Sequence, residues 1–300
     1  MLRKLVVDNY RLFRNKEIEF GDLTLLTGFN ATGKSTILEI LYLLRLRVLS
    51  IKHLVKNPIS KGSSTDIVNI GLIYNNNKEL NFEFKGNELK LLSSSNFDRK
   101  ELSNYNLFDK RDFAYINPSD KPIDLKYFRE VEVYNTQLLY LGTNSLNLVD
   151  QLNYWMSSLI TGFDINEQDN LSRGTLYLRA ILIDLLMLKP GSLILLENPE
   201  AYLHPSTQSK LAKLIAQVVR SGVQIVVETN SENILDGIRV EIKRQAIEFK
   251  SLLDTKINFF RKSPTNDLEI LSPKIDEDGR IDKWPQGFFD QTEKDLLLLL

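Results

Sequence analysis

Three hundred residues, 43% hydrophobic and 26% charged, suffice to bury a full core, so one large domain or a domain with an elaboration is expected and disorder is not. Lys and Arg number 38 against 39 Asp and Glu, a formal charge of -1, so any nucleic-acid contact falls to a local patch rather than to the field of the whole molecule. The lack of cysteine excludes a disulfide framework, a thiolate zinc site and a cysteine nucleophile, and His53 and His204 alone leave few other metal constellations.

The start, Met1 to Asp8, lacks the apolar run of a signal peptide, and no stretch approaches the ~20 apolar residues of a membrane span, so a cytoplasmic protein with no membrane contact is expected. Leu5-Val6-Val7, Ile18-Glu19-Phe20 and Leu23-Thr24-Leu25-Leu26 read as a short β-meander whose last strand runs into a glycine-rich loop. From Ser35 to Val48 the residues Ile37, Leu38, Leu41, Leu44 and Val48 keep helical spacing. Between residues 51 and 150 the clusters Asn75-Asn76-Asn77 and Ser93-Ser94-Ser95 separate strand-like runs at 67–74 and 80–84. This region is expected to be an inserted α/β lobe between two parts of one domain, residues 1–50 and 151–300. It carries no heptad pattern, so no long coiled coil is expected.

Beyond residue 150 the α/β signal returns. A helical stretch at 171–188 leads through Lys189-Pro190-Gly191 into the strand Leu193-Ile194-Leu195-Leu196, which ends on Glu197. A second helix, 207–219, reaches the strand Val223 to Val227, which ends on Glu228-Thr229-Asn230. Apolar strands that end in polar residues before a helix predict a buried parallel sheet. Residues 257–270 predict a hairpin, and Leu296 to Leu300 either dock a partner or, the favoured reading, finish a core helix.

Gly28-Phe29-Asn30-Ala31-Thr32-Gly33-Lys34-Ser35 is a G-x-x-x-x-G-K-S loop in the required order of strand, loop and helix, and that context makes it far more specific than the letters alone. The glycines let backbone amides turn inward as an anion nest, Lys34 sets its ammonium against the β- and γ-phosphates, and Ser35 offers a hydroxyl to Mg²⁺. Gly28, Asn30, Thr32, Gly33, Lys34, Ser35 and Thr36 are therefore the candidate ATP contacts, with the helix N-terminus adding partial positive charge. Glu197, at the C-terminal edge of a buried strand, suits a Walker-B role on Mg²⁺; the competing reading is a solvated strand-end glutamate. Leu171-Ser172-Arg173-Gly174-Thr175 stands just before a helix, where Ser172 and the amides near Gly174 either meet a phosphate or merely cap the helix. Walker A, signature loop, Walker B and switch strand follow one another in the order of ABC ATPases, which complete each site with a partner's signature loop.

With Asn9-Tyr10-Arg11-Leu12-Phe13, the Walker A and Glu197-Asn198-Pro199-Glu200-Ala201-Tyr202-Leu203-His204-Pro205 in place, the chain resembles the RecF/SMC-like and OLD-like ATPases. It is most similar to a bacterial family of predicted AAA ATPases with an E-N-P-E-A-H-L-H-P box, an E-T-H-S switch and a C-terminal W-P-x-G-F-F-D-Q. Here these stand as Glu228-Thr229-Asn230-Ser231 and Trp284-Pro285-Gln286-Gly287-Phe288-Phe289-Asp290-Gln291, and Tyr115-Ile116-Asn117-Pro118 resembles that family's Y-L-G-P element. The resemblance implies an ABC-type P-loop fold, ATP binding, nucleotide-dependent homodimers and membership of anti-phage or DNA-damage systems.

Two departures bear on mechanism. ABC ATPases in general follow the Walker-B acid with a glutamate that activates water; Asn198 stands here, and an amide orients water without accepting its proton. The switch residue, usually histidine, is Asn230. Slow hydrolysis is expected, with Lys34, Glu197, Asn198, Glu200 and Asn230 as candidate catalytic residues. Glu200 is either the alternative carboxylate or a helix-start acid favoured by the dipole, and His204 either enters a dimer's site or caps its helix. Arg45, Arg47, Lys52, Lys56 and Lys61 fall in a stretch without acids and form a candidate DNA- or partner-binding patch or a solvated helix face. The leading expectation is an ATP-driven switch, two subunits sandwiching two ATPs and controlling a separate effector, a nuclease or toxin. The alternatives are an ATP-dependent DNA clamp in repair or recombination, and a nucleotide sensor without turnover.

Overall fold

Alternating apolar residues at the N-terminus form an antiparallel sheet. In the computed structural model, which describes residues 1–46, 67–85, 88–97, 113–118, 147–163, 171–250 and 252–299, the chain falls into two units. The first comprises residues 1–109, 255–274 and 282–300, and the second residues 110–254 and 275–281.

In the first unit, strands β1 (Leu2–Asp8), β2 (Lys16–Glu19), β4 (Ile67–Tyr74), β5 (Glu79–Lys85) and β6 (Glu88–Ser95) form a five-stranded sheet in the order β2-β1-β4-β5-β6. Leu80, Phe82 and Phe84 on β5 and Val68, Ile70 and Leu72 on β4 bury one face, as period-two patterning requires. On β1 the buried residues are Leu2, Leu5 and Val7, and the break in alternation coincides with a register shift between Leu2 and Lys4, a bulge that keeps both leucines inward. The strand-like runs at 67–74 and 80–84 are thus β4 and β5, paired in one sheet with β1. Strand β3 (Leu23–Gly28), buried along almost its whole length, runs parallel to β10 (Thr255–Lys262), which pairs antiparallel with β11 (Leu268–Leu271), the hairpin expected there. The buried amide of Asn258 on β10 is satisfied by donating to the Glu19 carbonyl at 3.0 Å. Helix α1 (Lys34–Leu46) buries Ile37, Leu38, Leu41 and Leu44.

The second unit is a parallel arrangement in which β8 (Leu193–Glu197) lies between β7 (Phe113–Ile116) and β9 (Gln224–Glu228). Its helices are α2 (Leu148–Leu159), α3 (Arg173–Met187), α4 (Pro205–Val219) and α5 (Glu232–Phe249). Helices α4 and α5 cross so closely that a Cβ on Gly237 would lie 2.6 Å from Ala212 Cβ. Within the same unit the turn 275–281 holds to α5, with Arg239 Nε donating to the Gly279 carbonyl at 2.7 Å and Lys243 pairing with Asp278 at 3.5 Å.

The longest helix among the described residues, α5, has 18 residues, so no coiled-coil arm is present among them. No helix of the described residues is long and apolar enough to cross a membrane. One expectation is corrected. The terminal leucines do form helix α6 (Gln291–Leu299), but Leu296, Leu297, Leu298 and Leu299 are 56%, 66%, 86% and 82% exposed. Four consecutive leucines point around the whole helix circumference, so packing one face cannot bury them all. The basic stretch with Arg47, Lys52, Lys56 and Lys61 lies outside the described residues, as does the side chain of Arg45.

Candidate nucleotide-binding loop and Walker-B corner

The glycine-rich loop lies in the first unit, between β3 and α1. Gly28 at φ 127, Ala31 at φ 59 and Gly33 at φ 97 alternate left-handed with ordinary conformations, the backbone signature of an anion nest. Gly28 is required twice over: its φ excludes side chains, and a Cβ there would lie 2.1 Å from the Phe260 carbonyl oxygen. The Phe29 N–H donates to that same oxygen at 3.0 Å, and the Thr32 hydroxyl closes the loop by donating to the Phe29 carbonyl at 2.7 Å. Lys34 is 5% exposed, and its Nζ donates to the Gly28 and Phe29 carbonyls at 2.8 and 2.9 Å, so the ammonium is held inside the loop.

Two supports for this loop have no place in the motif itself. The guanidinium of Arg11 donates to the Thr36 hydroxyl at 2.8 Å and pairs with Glu39 at 2.8 Å, tying the Asn9 to Phe13 segment to the first turn of α1. Beside it, burial pushes the Tyr10 hydroxyl up to about 12. The C-terminal aromatic box supplies the second support. Phe29 meets Phe259 at 6.0 Å between centroids, Phe259 meets Phe288 at 5.3 Å, and Phe288 meets Trp284 at 5.4 Å. A Cβ on Gly287, itself at φ 87, would stand 2.3 Å from Phe29 Cζ. The box therefore braces the loop through its aromatic side chain.

The Walker-B corner belongs to the second unit. Glu197 ends β8, where its carboxylate accepts a short hydrogen bond from Tyr115 Oη on β7 and its carbonyl accepts one from Tyr177 Oη on α3. Asn198 turns the chain at φ 46, its N–H donating to the Glu228 carbonyl at 2.8 Å and its own carbonyl receiving the Ala201 N–H at 2.9 Å. Asparagine tolerates this left-handed conformation better than most residues. The turn carries Glu200 to the end of β9, where its Oε1 accepts the Asn230 N–H at 3.1 Å and its Oε2 is buried. Burial raises the Glu200 carboxyl above its ordinary range, against smaller opposing effects of its own backbone, Thr229 and the Asn230 amide.

Of the dual readings, two meet a capping role. Ser172 caps α3, its Oγ accepting the Thr175 N–H at 3.2 Å, and His204 caps α4, its Nδ1 accepting the Ser206 N–H at 3.2 Å. Glu200 is no helix-start acid, since α4 begins only at Pro205. The signature loop touches the Walker-B turn: a Cβ on Gly174 would lie 2.4 Å from the carbonyl oxygen of Tyr202, which sits at φ 63. The structure thus joins Gly174 to the turn and Glu200 to Asn230, with Glu197, Asn198 and Ser172 on the same unit. Tyr115, Tyr177 and Arg11 were not among the expected site residues. Tyr115 and Arg11 lay inside motifs quoted only for resemblance.

Family models match the chain in three places. One described as an AAA ATPase domain matches residues 1–132, an AAA domain whose description names the AbiEii toxin and a Type IV TA system matches residues 157–236, and a protein of unknown function, DUF3696, matches residues 253–299. No curated protein matches. Among solved structures, an SMC head bound to the C-winged helix domain of ScpA is similar at TM-score 0.60 and 15% identity, over 90% of this chain and 97% of that one. The SMC head domain from Thermotoga maritima is similar at TM-score 0.51 and 15% identity, over 91% and 99%. The fold is that of the P-loop SMC heads, and models of AAA-type domains match residues 1–132 and 157–236 of the chain.

Proposed function

We propose that this chain is an ATP-dependent switch that binds ATP with Mg²⁺, dimerises with a second copy around the nucleotide, hydrolyses it slowly and controls a separate effector protein, a nuclease or toxin of a bacterial anti-phage system. The observation that carries the reading is the glycine loop, whose left-handed residues and enclosed Lys34 ammonium form a cradle for a polyphosphate. Gly28, Asn30, Thr32, Gly33, Lys34, Ser35 and Thr36 hold the phosphates. Ser172 and Gly174, at the N-terminus of α3, meet the nucleotide of the second copy, and Asn230 hydrogen-bonds the γ-phosphate.

The donor set suits Mg²⁺. Among the described residues no three His, Cys, Asp or Glu side chains cluster, so the ion draws most of its oxygens from nucleotide and water, as Mg²⁺ ordinarily does. Ser35 and Glu197 would hold it. The carboxylate of Glu197 is oriented by the phenol of Tyr115, a neutral partner that leaves its charge for the metal. An Mg²⁺ ion held there would neutralise the negative charge that develops on the phosphates.

The separate effector is supported by the ScpA domain bound to the similar SMC head, and the link to a toxin system by the AbiEii toxin and Type IV TA system named in the description of one matching AAA domain. Nucleotide binding, phosphate release and sedimentation of wild type and Lys34→Ala test the reading together. Wild type is expected to bind ATP, to sediment as a dimer only with nucleotide and to release phosphate, whereas the variant loses binding by at least about 100-fold. Wild type that stays monomeric at saturating ATP would overturn the dimer switch.

A further inference from the structure

The Lys34 ammonium spends two donors on the loop's own carbonyls, Gly28 at 2.8 Å and Phe29 at 2.9 Å. A phosphate oxygen is a stronger acceptor for an ammonium than a neutral carbonyl, so a polyphosphate in the nest competes for those donors. Of its two described donors the Phe29 carbonyl then keeps the Thr32 hydroxyl at 2.7 Å. The backbone itself is pinned, with Gly28 packed on the Phe260 carbonyl oxygen and the Phe29 N–H donating to it at 3.0 Å. The response therefore falls to the Phe29 side chain. Its ring is 51% exposed, meets Phe259 at 6.0 Å, and leaves no room for a Cβ on Gly287. A half-exposed ring turns readily, whereas Phe288, fully buried beside it, is held by packing. Gly287 is fastened onward: Asp290 Oδ2 accepts its N–H at 2.8 Å and Lys294 Nζ, in the first turn of α6, at 2.7 Å. All of these residues belong to the first unit.

We infer that Phe29 is a relay by which the C-terminal segment from Trp284 to α6 senses a polyphosphate in the glycine loop. The inference rests on the reading of that loop as a phosphate cradle. Phosphate draws the Lys34 ammonium from the Phe29 carbonyl, the Phe29 ring turns against Gly287, and the contacts of the aromatic box and of Asp290 with α6 readjust. The segment thereby becomes an output element of the loop as well as its brace.

Trp284 reports the step. The chain has two tryptophans, so Trp155→Phe leaves Trp284, half exposed in the box, as the only indole emitter. Tripolyphosphate with Mg²⁺ serves as the probe, because it carries no base or ribose that could touch the indole directly, and calorimetry follows its binding on the same samples. Trp155→Phe is expected to bind the probe with a shift in Trp284 emission, and adding Lys34→Ala to abolish both. Adding Phe29→Ala is expected to keep the affinity within about threefold, because backbone amides and Lys34 make the nest, and to lose most of the shift. Phe29→Leu, which keeps apolar bulk, gives an intermediate shift and decides the matter if the alanine variant does not fold. Trp284 emission unchanged at saturation, or a full shift in the Phe29 variants, overturns the relay and leaves the cradle reading standing. Trp155→Phe with no Lys34-dependent binding of tripolyphosphate or ATP overturns both.

Discussion

The glycine loop and the Walker-B corner are built by different means. In the loop the backbone is decided by steric exclusion: Gly28 against the Phe260 carbonyl, Gly33 against the buried Phe13 ring at 2.8 Å, and Gly287 against Phe29. Its one charge, on Lys34, is enclosed by carbonyls at hydrogen-bond distance. The corner instead hangs on side-chain hydrogen bonds, donated by Tyr115 and Tyr177 and accepted by Glu200, whose Oε2 is buried. A binding cradle has one shape to keep and gains from rigidity.

If exclusion sets the loop, the largest effect comes from filling the excluded space. Gly28→Ala combines a left-handed φ with a Cβ 2.1 Å from backbone, neither of which a rotamer change relieves, so the first unit is expected to lose on the order of 3 kcal/mol. Denaturant midpoints should show it, and ATP should no longer raise the melting temperature. A variant that folds and binds as well as wild type would show that the loop yields more than its contacts suggest. Ser172 gives a smaller, sharper contrast. Ser172→Ala removes a cap and should cost about 1 kcal/mol, while Ser172→Asp caps equally well but sets a negative charge where a second copy's phosphate would arrive. Stability held in the aspartate variant with ATP-dependent dimers lost supports the signature role, and dimers retained would reduce Ser172 to a cap.

Legibility in the sequence followed the same division. Features governed by backbone geometry could be read: β3, the loop, α1 and the strands ending at Glu197 and Glu228 fall where period and glycine placement put them. Helix α5 had no reading, because its buried positions Ile234, Leu235, Ile238 and Ile242 are interleaved with Glu241 and Gln245, polar residues that are also buried and satisfy one another through a hydrogen bond of 2.9 Å. The aromatic box at Trp284 could be matched to a family but not to a role, since its partner Phe29 lies some 250 residues earlier and no periodicity links them. Ser172 and His204 carried two readings each because a capping side chain and a ligand-binding one share the same residue types and the same place before a helix.

The smallest effect tests the buried carboxyl of the corner. Burial raises the Glu200 carboxyl in the folded chain above its ordinary value in the unfolded chain. Between those two values the folded state holds more protons than the unfolded state, so this group's contribution to stability falls as pH rises through that window and is lowest above the folded value. Glutamine at this position carries no such dependence. The stability of wild type relative to Glu200→Gln should therefore decline as pH rises above the ordinary carboxylate range, as read from urea midpoints in a pH series. A difference that stays flat would mean that solvent or a partner offsets the burial of this carboxylate in the folded chain.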